Sequence, residues 1–189
     1  MQELEKYIKS YFDLDSSGIK ILSSFFTIEH VAKNEFHTKF GARNAALSFV
    51  RSGHLRVYRQ DAKKEVTQWI ASPREFVTDL SAVMFNQPAR WNIQALTDCE
   101  LFTISKSDYD QLKYRIPEWN DLEKLFLAKC FLILEDRVFS FISMTAEERY
   151  HYFQEIRSDL FTDTPQQFLA SMLGITPETF SRIRKKSVS

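Results

Sequence analysis

The sequence is poor in the residues that hold metals, clusters and phosphates. Only two of its 189 residues are cysteine, and Cys99 and Cys130 lie far apart in the chain. This argues against an iron–sulfur cluster or a structural zinc site and indicates a reducing compartment, so we expect the protein in the cytoplasm. The chain also has only four glycines, and no glycine-rich phosphate-binding loop is present.

Net charge and long apolar runs are absent as well. The 25 basic and 25 acidic residues cancel, so no overall positive field draws the protein to nucleic acid or to a membrane. No apolar run approaches the length that spans a bilayer, and the first residues, MQELEKYIKSYF, lack the apolar core of a signal peptide. We therefore expect no membrane partner.

Apolar residues are nevertheless abundant. They make up 44% of the chain, and 17 phenylalanines help to bring the aromatic share to 14%. This is ample for a buried core, and a charged share of 26% is typical of a globular chain. The length fits one large domain or two smaller ones, and the patterns below favour two unequal domains.

The first half of the chain changes from helical to strand periodicity. Apolar residues recur at helical spacing over residues 1–25, with a break near Asp15, which predicts two short helices. From about residue 26 to residue 105 the period becomes two, as in Leu55-x-Val57, and turn residues separate the runs. We predict an antiparallel β-barrel or sandwich here.

A long helix is predicted for residues 117–143. A second apolar stripe of Phe126, Cys130 and Ile133 indicates that this helix packs against its own β-domain. Two interpretations of the rest stay open: a single core helix within a monomer, or, as we prefer, the dimerisation helix of a symmetric homodimer. The preference depends on a coiled-coil seam, in which apolar residues alternate at spacings of four and three: Leu127, Phe131, Leu134, Val138 and Phe141.

Residues 144–189 are predicted to form a small helical domain. Thr145 and Glu148 have the spacing of a capping box and therefore start its first helix. Ser143 and Met144, just before this helix, are a candidate hinge.

Two further helices of this domain each begin with a Thr-Pro pair. Thr164 and Thr176 are candidate N-caps, and the prolines after them fit the first helical position. Gly174 permits a sharp turn between the helices. A helix-turn-helix is predicted, and an ordinary pair of packed helices is the alternative. The residues that would face the two helices toward each other are Leu169, Ala170, Leu173, Ile175, Phe180 and Ile183.

The outer face of the second helix carries residues that can contact DNA. Arginine can pair with guanine, glutamate can accept from cytosine, and hydroxyls can bond bases or phosphates. Four cations in the last eight residues can contact phosphates, although they can also complement the helix dipole. The candidate DNA-binding residues are Thr176, Glu178, Thr179, Ser181, Arg182, Lys185 and Lys186.

The order of these parts, with the words SMTAEERY and LASMLGITPETFSRIRKK, resembles the Crp/Fnr family of bacterial transcription regulators over nearly the whole chain. The resemblance implies an α+β protein with an N-terminal double-stranded β-helix, or jelly roll, of the cyclic-nucleotide-binding type (1–116). A dimerisation helix (117–143) and a C-terminal (winged) helix-turn-helix domain (144–189) would follow. The partners implied are a second copy of the chain and a palindromic operator in double-stranded DNA, with RNA polymerase and an unknown small-molecule effector as further candidates.

The sensor half departs from the members that bind cyclic AMP. Those members carry a Gly-Glu pair that holds the ribose and an Arg-Ser or Arg-Thr pair whose arginine holds the cyclic phosphate. Here Thr78 and Asp79 stand in place of the first pair, and Arg90 is followed by Trp91 and lies one place off the expected register. Asp79 and Arg90 remain the candidate effector-pocket residues, and we expect no response to cyclic AMP.

We expect no enzymatic activity, cofactor or metal. The histidines are scattered, no His-x-His pair with a following glutamate occurs, and no nucleophile and base stand at a motif spacing. A jelly-roll enzyme would need a metal. The predicted function is a homodimeric, sequence-specific DNA-binding transcription regulator, and the alternative is a small-molecule-binding sensor whose helical tail contacts another protein.

Overall fold

The computed structural model describes residues 2–12, 14–62 and 64–188. Within them the chain forms, in order, two short helices, a β-domain, a long helix and a bundle of helices. The two short helices meet at Asp15, whose carboxylate accepts a hydrogen bond of 2.7 Å from the backbone N–H of Gly18. The helices that precede the long one are α1 (Gln2–Tyr11), α2 (Ser16–Ser24), α3 (Leu80–Phe85), α4 (Lys106–Tyr109) and α5 (Leu112–Arg115).

The β-domain coincides with the part of the sequence that has a period of two. Successive side chains of a strand point to opposite faces, so each strand can contribute to two cores. The strands are β1 (Thr27–Val31), β2 (Phe36–Thr38), β3 (Ala46–Ser52), β4 (Leu55–Asp61), β5 (Lys64–Ala71), β6 (Phe76–Thr78), β7 (Asn92–Ala95) and β8 (Cys99–Ser105).

These strands form two four-stranded antiparallel sheets, ordered β1-β8-β3-β6 and β2-β7-β4-β5. One core lies between the sheets and contains Val50 of β3 and Leu101 of β8. The adjacent residues Phe49 and Phe102 face the other way, into a second core with α1 and α2. Because neighbouring side chains of β3 and β8 point to opposite faces, these two strands contribute both to the core between the sheets and to the core with the helices.

The long helix, α6 (Trp119–Ser143), begins at Trp119 instead of residue 117 and ends where the sequence predicts. Trp119, Leu122 and Phe126 are buried in the core that α1 shares with the β-domain. The ring of Phe126 also lies 5.3 Å from that of Phe76 on β6. One side of α6 therefore packs against the β-domain.

Within the described residues, the bundle after α6 consists of α7 (Ala146–Ile156), α8 (Ser158–Asp163), α9 (Gln166–Met172) and α10 (Pro177–Val188). The capping box of Thr145 and Glu148 is confirmed, because both of its hydrogen bonds are present. The prediction that Thr164 caps the next helix is wrong: Pro165 is the N-cap of α9, and the Thr164 hydroxyl is buried without a hydrogen-bond partner. No strand follows β8 in the described part of the chain, so no wing is seen there.

Candidate functional site

Helices α9 and α10 pack together around a tight turn. Gly174 in this turn has a φ of +68°, which favours glycine. The backbone N–H groups of Gly174 and Ile175 donate to the carbonyls of Ser171 and Ala170 at 3.1 and 3.0 Å and close the end of α9. The residues predicted to join the two helices are buried or, for Ile175, half-buried: Leu169, Ala170, Leu173, Ile175, Phe180 and Ile183.

The start of α10 is fixed by Thr176. Its hydroxyl oxygen accepts a hydrogen bond of 3.2 Å from the backbone N–H of Thr179, which satisfies one of the free donors of the first turn. The backbone N–H of Glu178 itself and the hydroxyl of Thr176 lower the pKa of Glu178. A negative charge is therefore held at the exposed N-terminus of α10.

The structure brings the seven candidate DNA-binding residues together along α10. Lys186 lies 3.6 Å from Glu147, but both side chains are exposed, so this ion pair is weak and easily exchanged for another contact. The exposed residues are Thr176, Glu178, Arg182, Lys185 and Lys186, and the half-buried ones are Thr179 and Ser181.

Arg149 holds the turn of this helix pair against the end of α6. Its Nε donates to the carbonyl of Leu173 at 2.9 Å, and its Nη1 donates to that of Met144 at 3.2 Å. The guanidinium carbon also lies 4.4 Å from the ring centre of Phe141. Burial lowers the pKa of Arg149. Together, these contacts of Arg149 fix the position of α10 relative to α6.

The helical bundle is also docked on β5. The hydroxyl of Ser171 on α9 accepts a hydrogen bond of 2.9 Å from the backbone N–H of Thr67. Arg157 donates to the carbonyl of Ile70 at 3.0 Å and forms an ion pair of 3.1 Å with Glu75. Burial raises the pKa of Glu75, and the charge of Arg157 opposes that rise. Docking uses α9 and Arg157, which lies between α7 and α8, and leaves the outer face of α10 accessible.

The side of α6 that faces away from the β-domain is apolar and exposed. Phe131 is 60% exposed and Val138 is 49% exposed, and Leu134 between them is also exposed. Of the other two seam residues, Leu127 packs against the core and Phe141 lies against Gly174. An apolar surface of this extent indicates an interaction face. We call it the α6 face, and it comprises Leu125, Phe131, Leu132, Leu134, Val138, Phe139 and Ile142.

Asp79, a candidate effector-pocket residue, is fully occupied by backbone and side-chain donors. Its Oδ1 accepts from the N–H and hydroxyl of Ser81 and from the N–H of Ala82, at 2.7 to 3.2 Å. Its Oδ2 accepts from the N–H groups of Arg90 and Trp91, at 2.5 and 3.0 Å. A carboxylate has about four lone-pair sites, so none is left for a ribose hydroxyl.

The side chain of Arg90 points outward. It is exposed, whereas Ala89 beside it is buried, so the buried position carries no cation. Without a cation for the phosphate and a free carboxylate for the ribose, this segment does not fit a cyclic nucleotide. Neither Asp79 nor Arg90 lines the cleft described next.

A cleft of about 290 Å³ lies between the β-domain and α6. Aromatic side chains form much of its wall, with Trp69 of β5 and Phe76 of β6 facing Phe126 of α6. Leu134, a member of the α6 face, also reaches it. The cleft therefore has an apolar interior next to the predicted interaction surface.

Arg137 lines the same cleft. Its Nη2 donates to the carbonyl of Met172 on α9 at 2.9 Å, whereas its Nη1 is buried without a hydrogen-bond partner. Burial and the charge of Arg149 lower the pKa of Arg137 to about 10. An unsatisfied buried donor costs roughly 1–3 kcal/mol, so its presence calls for an explanation.

Four polar residues from four strands form a closed ring of hydrogen bonds inside the β-domain. Ser48, His37 and Glu29 follow one another at 3.1 Å each, and Thr103 bonds to both Ser48 and Glu29. The order Ser-His-Glu is that of a catalytic triad. Ser48 is 0% exposed, however, so no substrate reaches its hydroxyl. The ring is a structural link between the two sheets.

Sequence reasoning missed this ring because its members are far apart in the chain. It also missed Arg137 and Arg149, although an arginine within an apolar helix such as RVFSF is a signal that could have been noticed. Within the described residues, no group of three or more His, Cys, Asp or Glu side chains is placed to hold a metal. Nor does any helix there have the length and hydropathy of a membrane span.

Comparison with known proteins agrees with this architecture. Residues 28–114 match the sequence profile of the cyclic nucleotide-binding domain family. Patatin-like phospholipase domain-containing protein 6 of Homo sapiens is 31% identical over 94 residues, which is 49% of this chain and 7% of the human protein. The matched region is therefore only a small part of the human protein.

Solved structures resemble the chain beyond its β-domain. FixK2 of Bradyrhizobium japonicum has a TM-score of 0.70 at 16% identity, over 85% of this chain and 83% of that one. The c-di-GMP-responsive global regulator CLP of Xanthomonas campestris has a TM-score of 0.66 at 19% identity, over 91% of each chain. These likenesses show the fold: a cyclic-nucleotide-binding-type β-roll followed by C-terminal helices, as in Crp/Fnr regulators.

Proposed function

We propose that the protein is a homodimeric, sequence-specific DNA-binding transcription regulator of the Crp/Fnr type that acts in the cytoplasm. The observation that carries this proposal is α10, which buries Phe180 and Ile183 in the bundle and presents Glu178 and Arg182 to solvent. A short, firmly held helix with a polar outer face fits the major groove of duplex DNA. Docking through α9 supports the same function, because it leaves that face open.

The α6 face supports the homodimer. An isologous interface needs a self-complementary surface, and an exposed apolar helix can pack on its own copy around a two-fold axis. Dimerisation would present two copies of α10 to successive major grooves, about 34 Å apart, so the operator would be an inverted repeat. RNA polymerase is the further partner that a regulator bound to such a site would contact.

Cyclic AMP is not the effector in this proposal, because Asp79 has no free acceptor and the buried position 89 carries alanine. Enzymatic activity is not proposed either, because Ser48 of the Ser-His-Glu ring and Ser72, which lies 3.0 Å from His54, are both buried. The cleft beside α6 favours a second candidate function, a small-molecule sensor whose helical bundle contacts another protein. DNA binding distinguishes the two functions.

The test is selection of bound duplexes from a random DNA pool by the full chain, with and without cell extract. We expect the recovered duplexes to share an inverted repeat whose half-sites are centred about 10 base pairs, or a multiple of that, apart. Failure to retain any DNA at ~50 mM salt, where phosphate contacts are strong, would contradict the proposal and favour the protein-contact alternative. Retention of sequences without a common motif would contradict sequence specificity.

A further inference from the structure

The cleft between the β-domain and α6 combines aromatic walls with a half-buried arginine, Arg137. Its volume of about 290 Å³ is near the lower end of the range of roughly 300–1,000 Å³ for small-molecule sites. Trp69 and Phe76 line it from the β-domain, and Phe126 lines it from α6. An occupant of these dimensions is small and has an apolar body.

The polar groups of the cleft differ in whether they are already paired. Glu75 accepts from Trp69 at 3.2 Å and from the backbone of Ser72 at 3.1 Å, and it is ion-paired with Arg157. This carboxylate is therefore committed to the docking of the bundle. It does not neutralise Arg137.

Among the described residues, no carboxylate pairs with Arg137, the arginine that lines the cleft. The charged group that lowers the pKa of Arg137 is another arginine, Arg149, and no carboxylate of the described residues opposes that effect. Its guanidinium lies 5.3 Å from the ring centre of Trp69 and 5.4 Å from that of Phe141, so it is held between aromatic faces. Buried cations are normally paired, which makes an anion the group that this position lacks.

We propose that the cleft binds a small organic acid with an aromatic or aliphatic body, whose carboxylate or equivalent anionic group pairs with Arg137. The apolar body would lie on Trp69 and Phe76, and the acid would accept from the guanidinium Nη1 that has no partner in the structure. This site does not use Asp79 or Arg90.

The same arginine connects the cleft to the bundle. Its Nη2 donates to the carbonyl of Met172, the last residue of α9. A single guanidinium would therefore contact both an anion, through Nη1, and the helix pair, through Nη2. A bound acid would therefore favour the arrangement in which Arg137 is fixed toward α9. That a bound acid changes DNA affinity rests on the proposed function, whereas binding of the acid does not.

The experiment measures binding of phenylacetate, 4-phenylbutyrate and octanoate to the full chain, each beside its neutral amide. Thermal stabilisation and quenching of tryptophan fluorescence report binding, and Trp69→Phe identifies the part of the quenching that comes from the cleft. Ligands of this size are expected to bind with dissociation constants of ~1 mM, so they are tested up to ~10 mM. We expect at least one acid to bind about tenfold or more tightly than its amide, because a charge-assisted hydrogen bond is lost in the amide.

Two substitutions separate recognition of the anion from a loss of fold. Arg137→Gln should abolish the preference for acid over amide, and Arg137→Lys should keep part of it because the charge remains. Arg43→Gln, which removes an exposed charge from a loop, is the matched control and should change nothing. Circular dichroism and thermal unfolding of each variant establish that it is folded.

Equal binding of acids and amides, absence of binding by every probe, or an acid preference that persists in folded Arg137→Gln would each overturn the proposal. Binding is read without DNA, so loss of one function is separable from loss of the other. An acid that binds the cleft of a protein that retains no DNA supports this site and contradicts the proposed regulator. DNA retention with no acid binding contradicts this site and supports the proposed regulator.

Discussion

Several arginines are withdrawn from bulk solvent, and each contacts a backbone carbonyl or an aromatic ring of another element. They are Arg56, Arg137, Arg149 and Arg157. Arg56 shows the pattern: its guanidinium carbon lies 4.0 Å from the ring centre of Tyr58 and 4.0 Å from that of Phe168 on α9. A planar guanidinium can stack on rings and donate at its edge at the same time, which an ammonium cannot. A single arginine can therefore contact two parts of the molecule at once, and such arginines connect the β-domain, α6 and the bundle.

Arg182 and Lys185 should differ in what they contribute to DNA binding. If Arg182 forks onto a guanine, Arg182→Ala should cost about 1–3 kcal/mol at the preferred site and relax the choice of base there. Lys185→Ala or Lys186→Ala should instead weaken binding to all sequences and reduce the slope of log affinity against log salt by about one, because a phosphate contact is lost. Competition binding with substituted operators, repeated over a salt series, measures both effects.

Arg43→Ala is the control for that comparison, since it removes an exposed cation outside the bundle. It should leave base preference unchanged. An Arg182→Ala variant that kept the operator preference and the affinity of the unmodified protein would show that the assigned register of α10 is wrong.

The polar ring inside the β-domain should make stability depend on pH. The hydrogen bond from His37, followed by the charge of His37 and the bond from Thr103, lowers the pKa of Glu29 below its ordinary value of 4.5, although burial opposes this. A carboxyl with a lowered folded pKa stabilises the fold above its unfolded pKa and loses that contribution as pH falls through the folded pKa. Glu29→Gln should therefore lower the free energy of unfolding by ~0.5–1 kcal/mol near neutral pH, a small value because the side chain is 35% exposed.

Urea unfolding from ~pH 7 to ~pH 3 tests this expectation, because the difference between the two proteins should shrink below the unfolded pKa. Glu155→Gln, an exposed substitution on α7, is the control and should give no pH-dependent difference of this kind. A constant difference at all pH values would mean that Glu29 acts through packing and not through its charge.

Among the elements, the turn between α9 and α10 is the most sharply constrained. A Cβ on Gly174 would lie 2.7 Å from Cε1 of Phe141, and the φ of +68° is itself unfavourable for other residues. Gly174→Ala should therefore destabilise the bundle by ~2–4 kcal/mol, from strain and collision together, and weaken DNA binding by displacing α10 from α6. Thermal unfolding and operator binding measure the two consequences.

Gly41 provides a matched control for this turn. It also has a positive φ, +80°, but a Cβ there would meet nothing within 4 Å. Gly41→Ala should cost ~1 kcal/mol from strain alone and leave DNA binding unchanged. Equal losses from the two substitutions would show that contact with Phe141 does not position the turn.

The elements that the sequence predicted correctly are those specified by neighbours in the chain. Asp15, the Thr145 capping box and Thr176 act on backbone groups three residues away, and the period of two extends along single strands. Thr164 is the exception, because tertiary contacts bury its hydroxyl and leave the cap to Pro165. Local rules predict an element's limits only where packing does not compete with them.

The contacts that the sequence did not predict are long-range. Arg149 meets Leu173, Arg157 meets Ile70, and Thr67 meets Ser171, 104 positions further along the chain. In each pair one of the two groups is a backbone N–H or carbonyl, which nearly every residue type supplies, so the sequence does not identify the partner. For the same reason the cleft at Arg137 emerged only from the folded structure.

At the scale of the whole molecule, two surfaces are left open when the bundle docks on the β-domain: the outer side of α10 and the α6 face. Docking through Ser171 and Arg157 restricts where α10 can point, and Arg149 ties its turn to the end of α6. A second copy that packs on the α6 face would therefore fix the distance between the two copies of α10. Under the proposed function, this symmetric contact would be sufficient for the two copies to read an inverted repeat.

Val138→Asp tests that contact between copies. Val138 is 49% exposed near the middle of the α6 face, so the substitution costs little in a monomer but buries an unpaired charge in a dimer. We expect the variant to sediment as a monomer and to lose about 10²–10⁴-fold in affinity for an inverted repeat, because the second half-site no longer benefits from the high effective concentration of a linked reader. Phe85→Asp, at a 73% exposed residue of α3, is the matched control and should remain dimeric with unchanged affinity. A Val138→Asp variant that stayed dimeric would show that the copies meet elsewhere, and a dimer lost without loss of operator affinity would show that one α10 suffices for binding.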